Sequence, residues 1–150
     1  MRRVVLTLVI ALAAPAREAA ALQGAREIFL WGIGVPGGAM LEYSVPGKDF
    51  AQIPQWNPEK ELPPFPISRA VSAAKKALRS EHSDWREDET LLWSVQLQQA
   101  QSTEYPKRWF YVFMFRRMMA EQPLPRGEAT IVVLMNGSVV KPKAGRDLPR

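Results

Sequence analysis

The sequence predicts an α+β domain in which one amphipathic helix packs on an antiparallel sheet of three to five strands. Three observations favour this fold class. One central segment has apolar residues at helical spacing, later segments are rich in aromatic and β-branched residues, and turn signals separate them. At 150 residues, of which 47% are apolar and 23% charged, the chain has the composition of one globular domain with tails.

The first residues have the order of a secretory signal peptide. Two arginines precede the apolar run 4–13, and Ala14-Pro15-Ala16 fits the small-residue rule for cleavage. The run is too short to cross a bilayer, which takes about 20 residues. We expect cleavage after residue 16, or alternatively after residue 21, with an uncleaved N-terminal helix as the other interpretation. The mature protein is then periplasmic or extracellular in a bacterium and has no transmembrane span.

A β-hairpin is predicted at residues 27–45, because apolar residues alternate on both sides of the turn signal Pro36-Gly37-Gly38. A Pro-rich connection follows at residues 46–66 and holds six of the 13 prolines, so we expect neither helix nor central strand in it. Its aromatic residues, Trp56 among them, either pin the connection onto the domain or form a recognition strip.

An amphipathic helix is predicted at residues 67–79, with the hydroxyl of Ser68 as its N-terminal cap. Its apolar residues form one stripe, which consists of Ile67, Ala70, Val71, Ala74, Ala77 and Leu78. The many alanines indicate close approach to the layer that covers the helix. The cations Lys75, Lys76 and Arg79 near its end suit the negative pole of the helix dipole.

Three strand regions follow the helix. Residues 91–97 alternate apolar with polar side chains, which predicts one apolar face, and we expect Trp93 and Trp109 to lie on the faces that cover the helix. Residues 109–115 are apolar on both faces, which predicts a central strand. Residues 130–140 contain the hairpin signal Asn136-Gly137.

A loop with two prolines is predicted at residues 118–127. The helix and the three strand regions together define a predicted domain at residues 67–143. A basic tail follows at residues 144–150.

Three motifs carry a family resemblance: the helix start Ile67–Ala74, the strand Trp109–Phe113 and the closing segment Ile131–Val140 with its tight turn. In these motifs the chain resembles the PepSY and cystatin-like family of small exported domains, over about residues 66–143. The resemblance implies a cystatin-like or PepSY-like helix on a sheet. It also implies a non-catalytic role in binding or inhibition, for example of peptidases, or in envelope assembly.

The residues offer little to catalysis or metal binding. The chain has no Cys and one His, which excludes disulfides, thiolate metal sites and any site with two imidazoles. His82-Ser83-Asp84 has the residue types of a catalytic triad, but three consecutive residues do not converge on one reacting atom. The acidic loop 84–89 lacks the alternating ligands and central Gly of a calcium loop. We therefore expect no enzyme activity, no cofactor and no metal site.

Two functions fit these features. The first is a binding or inhibitory module whose helix-side groove or edge strand takes a protein or peptide of the bacterial envelope. The second is a structural protein that attaches to anionic lipid or polysaccharide through the Pro-rich connection and the basic tail. Nucleic acid is not expected as a partner because of the export signal. The residues proposed for partner contact are Trp56, Trp85, Lys107 and Arg108.

Overall fold

The computed structural model describes residues 26–34, 39–119 and 122–145, with the side chains of 123–126 excepted. The predicted signal peptide, the turn at Pro36-Gly37-Gly38 and the end of the basic tail lie outside the described residues.

The described chain forms strands, two α-helices and one 3₁₀ turn at Glu87–Glu89. The helices are α1 (Gly47–Phe50) and α2 (Ile67–Glu81). The strands are β1 (Glu27–Gly34), β2 (Met40–Pro46), β3 (Thr90–Gln99), β4 (Trp109–Met119), β5 (Gln122–Leu134), β6 (Val139–Val140) and β7 (Lys143–Ala144).

These strands form two antiparallel sheets, with the orders β1-β2-β7 and β3-β4-β5-β6. The α+β class is confirmed, but the expectation of one sheet is wrong. The physical reason lies in the last described residues, because Leu41 and Glu42 of β2 pair with Ala144 and Lys143. The hairpin therefore takes its third strand from the far end of the chain and remains a separate sheet.

The Pro-rich connection contains α1, although no helix was expected there. Gly47 to Ile53 is a stretch without Pro, and Ala51 N–H donates to the Gly47 carbonyl at 2.9 Å, which closes one helical turn. Phe50 and Ile53 are fully buried. The connection is thus attached to the core by its own side chains.

Helix α2 extends two residues beyond the predicted end, and its start differs from the prediction. Pro66 occupies the N-cap position, no side chain caps the helix, and Ser68 lies inside it. The Pro66 carbonyl accepts the amides of Arg69 and Ala70, both at 3.0 Å. With its extended backbone, φ −62° and ψ 143°, Pro66 directs this carbonyl to the Arg69 amide, one of those that a hydroxyl cap would otherwise satisfy.

Helix α2 packs on one face of the larger sheet. Ala70 and Ala74 are fully buried, which allows the helix backbone to approach the strands closely. Tyr111 Oη donates to the Phe65 carbonyl at 3.0 Å just before the helix begins, and Phe115 lies with Leu78 around one pocket. Tyr111 and Phe115 therefore mark the face that α2 covers.

The opposite face of the larger sheet is equally buried. Phe110, Val112 and Val132 have almost no exposed surface, so β4 is covered on both sides, as its sequence predicts. The buried residues of the hairpin and of α1 belong to the same apolar cluster as these three. Both sheets and α2 thus share one core.

The predicted loop at residues 118–127 is wrong, because β4 and β5 continue through most of it. Met118 pairs with Pro123 and Met119 with Gln122, after a register shift that follows Arg116. On its other side β5 pairs with β6 at Val132 and Val133, in the described residues, so Pro123 lies where that side of β5 has no neighbour. A proline, which lacks an amide donor, is tolerated at such an edge.

Among the described residues, no helix combines the length and the apolar character needed to cross a membrane.

Candidate functional site

Strand β3 forms one edge of the larger sheet, since among the described residues it pairs with β4 alone. Between Thr90 and Gln99 it contains no charged residue, no Pro and no Gly. Natural proteins normally protect a long edge strand with charges, prolines or bulges, because its free backbone groups can pair with another chain. A bulge lies between Leu92 and Ser94. The stretch after it is a regular and unprotected edge.

The apolar side chains of β3 are exposed. Their exposed fractions are 47% for Leu91, 43% for Trp93, 38% for Val95 and 40% for Leu97. The prediction that this apolar face packs inward, with Trp93 against the helix, is wrong. There are two reasons: α2 packs mainly on β4, β5 and β6 rather than on the outer strand, and the bulge turns Trp93 to the opposite face of the sheet.

The bulge divides these four side chains between the two faces of the sheet. Val95 pairs with Phe113 and Leu97 with Tyr111, so both lie on the face that carries α2. Before the bulge the alternation of side chains between the two faces is shifted by one residue, so Trp93 lies on the other face. There its ring lies under the Arg116 guanidinium, whose carbon is 4.0 Å from the ring centroid. Val95 and Leu97 are therefore the exposed apolar residues beside the helix.

The registers of the larger sheet place α2 and the exposed apolar residues of β3 on the same face. Leu97 is paired with Tyr111, which is bonded to the residue before the helix starts. Leu92 is paired with Phe115, which lies beside Leu78 near the end of the helix. Helix and strand thus run side by side in opposite directions, and we call the space between them the α2–β3 groove.

The groove ends in a pocket of about 80 Å³. The apolar part of its lining consists of Leu78, Trp85, Leu92 and Phe115. The polar part consists of Lys75, Arg79, His82, Glu87 and Thr90. An apolar base with charged groups around it is typical of a small-ligand or side-chain pocket.

The polar groups of this pocket are arranged by short contacts. Arg79 Nη2 lies 2.8 Å from Glu87 Oε2, and this ion pair links the helix to the loop. The imidazole of His82 lies on the indole of Trp85, with 4.6 Å between ring centroids. Lys75, which also lines the pocket, has no ion-pair partner among the described residues.

The loop that forms the pocket wall is tied to the sheet by Arg117 of β4. Its Nη1 donates to Asp84 Oδ2 at 2.9 Å, and its Nε donates to Glu89 Oε2 at 3.2 Å. The Arg117 side chain is largely buried, so these bonds are less screened by solvent than ordinary surface pairs. They hold Trp85 and Glu87 at the end of the groove.

The predicted contact residues fall into two separate groups. Trp85 lies in the pocket wall, whereas Trp56, Lys107 and Arg108 lie at the opposite end of β4. Phe115 at the pocket lies six positions after Trp109 at the start of β4, which corresponds to roughly 20 Å of strand. The structure does not bring the four predicted residues together.

The second group has structural contacts. Trp56 is 6% exposed, its Nε1 donates to the Glu61 carbonyl at 2.9 Å, and its ring meets Trp109 edge to face at 5.5 Å. The Lys107 carbonyl accepts the Trp56 amide at 3.0 Å, and Arg108 Nη2 donates to the Ala51 carbonyl at 3.0 Å. These contacts favour the interpretation in which Trp56 pins the Pro-rich connection.

Sequence reasoning missed Lys75, Arg79 and Leu92 as site residues. Cations at the end of a helix are expected from the helix dipole alone, so Lys75 and Arg79 did not indicate a site. Their spacing of four residues was the one signal that they share a side of the helix. The missing charges of β3 were the signal for an open edge.

Two of the three residues in the triad-like sequence make other contacts: Asp84 is bonded to Arg117, and His82 stacks on Trp85. Within the described ranges, no three His, Asp or Glu side chains are grouped so that they could hold a metal ion.

Comparison of this chain with protein-family models, with curated proteins and with solved structures gave no match. The resemblance to the PepSY and cystatin-like family therefore stays a prediction.

Proposed function

We propose that the protein is a non-catalytic binding module of the bacterial envelope that holds an extended peptide segment of a partner protein along the outer side of β3, with peptide side chains that reach over β3 into the α2–β3 groove. The observation that carries this proposal is the uncharged edge of β3, which exposes apolar side chains beside the helix. An inhibitory role is the form of this function in which the partner is a peptidase.

Backbone pairing is the first source of affinity. An extended peptide added beside β3 pairs with the free amide and carbonyl groups of its outer side, and this pairing is independent of the peptide's sequence. The regular stretch Ser94–Gln99 offers such pairing without a proline or a bulge. The absence of charges on β3 means that no desolvation of an ionic group opposes it.

Apolar contact is the second source. Val95 and Leu97 are each about two-fifths exposed, and a peptide side chain laid on them removes this surface from water. At about 25 cal/mol per Å² the two side chains contribute about 1 kcal/mol each. Because the free-energy contribution of each side chain is small, the affinity depends on backbone pairing and side-chain contact together.

The test uses the mature protein and a displayed library of random ten-residue peptides. Peptides that are enriched are synthesised, and their dissociation constants are measured by fluorescence anisotropy. Leu97→Lys places a cation in the groove, and we expect it to weaken binding at least about tenfold. Leu62→Lys is the matched control, since Leu62 is 89% exposed and lies in the Pro-rich connection.

Two results would overturn the proposal. One is a library without enriched peptides, and the other is equal binding by the Leu97→Lys variant and the native protein. Vesicles that contain anionic phospholipid are the parallel probe for the alternative function. Retention on these vesicles together with a failed peptide selection would favour envelope attachment.

A further inference from the structure

We propose that the pocket at the end of the α2–β3 groove takes the C-terminal residue of the bound peptide, with its apolar side chain inside the pocket and its free carboxylate at Lys75. This inference rests on the proposed function, which it deepens by naming the part of the partner that is recognised.

The interior of the pocket selects an apolar group. Leu78 and Phe115 are almost completely buried and form its base with Leu92, while the indole of Trp85 forms a side wall. The volume of about 80 Å³ is several times what one water molecule requires. An aliphatic side chain of a few carbons fits this space, and it displaces water from an apolar surface.

The mouth of the pocket selects an anion. Lys75 and Arg79 are one helical turn apart on α2 and both line the pocket. Arg79 is paired with Glu87, whereas Lys75 has no ion-pair partner in the part of the chain that the structure describes. A ligand that fits must therefore carry a negative charge within a few ångströms of an apolar group. A C-terminal residue does so, because its carboxylate and its apolar side chain are attached to the same Cα atom.

The loop that lines the pocket lies at this end of the groove, which favours a chain terminus over an internal segment. Trp85 and Glu87 stand at this end, and Arg117 holds their loop against β4 through Asp84 and Glu89. A peptide that continued beyond the pocket would have to displace this loop or turn away from the sheet. A peptide that ends in the pocket does neither.

The direction of strand pairing brings the correct terminus to the pocket. The pocket is lined by Thr90 and Leu92, at the N-terminal end of β3. A peptide paired antiparallel to β3 runs in the opposite direction, so its C-terminus arrives at this end. Antiparallel pairing is also the slightly more stable and the commoner arrangement.

The experiment compares three forms of one peptide enriched on the native protein: a free C-terminal carboxylate, a C-terminal amide, and an extension by Gly-Ser-Gly. Dissociation constants are measured for the native protein, for Lys75→Gln and for Lys76→Gln. Lys76→Gln is the matched control, because Lys76 is the neighbouring exposed cation of α2 and does not line the pocket.

We expect amidation and extension each to weaken binding to the native protein about tenfold, the size typical of a lost hydrogen-bonded charge. In Lys75→Gln the difference between carboxylate and amide falls below about twofold, since the double change removes one interaction. In Lys76→Gln the full difference remains.

Failure of this inference is distinguishable from failure of the proposed function. If amide and carboxylate bind equally while Leu97→Lys still abolishes binding, the groove takes an internal segment and the terminal pocket is refuted. If Leu97→Lys has no effect, the groove itself is refuted. Octanoate tests whether the pocket takes a fatty acid instead. If octanoate binds in the pocket and the enriched peptide does not displace it, the peptide does not occupy the pocket and the inference is refuted.

Discussion

Tyr43 Oη donates a 2.6 Å hydrogen bond to the carbonyl oxygen of Thr130, and this bond links the smaller sheet to the larger one. Tyr43 is 2% exposed, and its bond crosses 87 positions of the sequence. A buried hydroxyl that lost this acceptor would keep the full cost of its removal from water. The bond therefore fixes how the hairpin sheet lies against β5.

The same tyrosine makes stability depend on alkaline pH. Burial raises the pKa of Tyr43 to about 12, and the Glu81 carboxylate adds to this rise. In the unfolded chain a tyrosine has a pKa of about 10, so the folded state holds the proton more tightly. The resulting stabilisation is complete below pH 10 and is lost as the pH rises from about 10 to about 12.

Urea unfolding of the native protein and of Tyr43→Phe between pH 9 and pH 12 measures this effect. We expect the free energy of unfolding to fall more steeply with pH in the native protein than in Tyr43→Phe, which has no phenol to ionise at this position. Parallel curves for the two proteins would contradict the assignment of the pH dependence to Tyr43.

Trp56 and Trp93 differ in their contribution to stability. Trp56→Ala removes a buried ring that packs on Trp109 and leaves a cavity, so we expect a loss of about 3–5 kcal/mol in the free energy of unfolding. Trp93→Ala removes a half-exposed ring and its contact with Arg116, which costs about 1 kcal/mol. Denaturant titration measures both values, and a reversed order would contradict the burial described for these two residues.

The parts of this fold that were predictable from sequence depend on local pattern. Helix α2 follows from apolar residues at a spacing of three and four, and the covered strand β4 follows from apolar residues on both faces. The separation into two sheets depends on the pairing of Glu42 with Lys143, about a hundred positions away. No local pattern encodes a pairing of that kind.

The candidate site was predictable only in part for a related reason. The alternation in β3 predicts a strand with one apolar side, but the position of α2 decides whether that side is covered. Trp85 could be predicted as a contact residue because it is a lone aromatic residue in a charged loop. Lys75 is recognised as a site residue only once the fold places Leu92 and Phe115 around the same pocket. The sequence pattern does not show that tertiary arrangement.

Gly137 is required by the turn between β5 and β6. Its φ is +87°, and a Cβ atom at this position would lie 2.8 Å from a ring carbon of Phe65. We expect Gly137→Ala to lower the free energy of unfolding by about 1–3 kcal/mol, because the backbone is strained and the Phe65 ring must shift. Gly34→Ala is the control, since a Cβ there meets nothing within 4 Å. Urea unfolding that gives equal stability for both variants would contradict the turn geometry.

The open edge of β3 also predicts behaviour in the absence of a peptide. A long, uncharged edge with exposed apolar residues pairs with other chains at high concentration, and a charge placed on such an edge suppresses that pairing. We expect sedimentation velocity to show concentration-dependent association of the protein. Val95→Lys, which changes a residue that is 38% exposed, shifts the population toward the monomer.

Leu62→Lys adds the same charge to the Pro-rich connection and is expected to leave the association unchanged. Because Leu62 lies outside β3, this comparison separates an effect of the strand edge from a general effect of net charge on solubility. Equal sedimentation of the two variants would assign the association to another surface. A peptide enriched on the native protein should reduce association as Val95→Lys does, since both occupy or block the same edge.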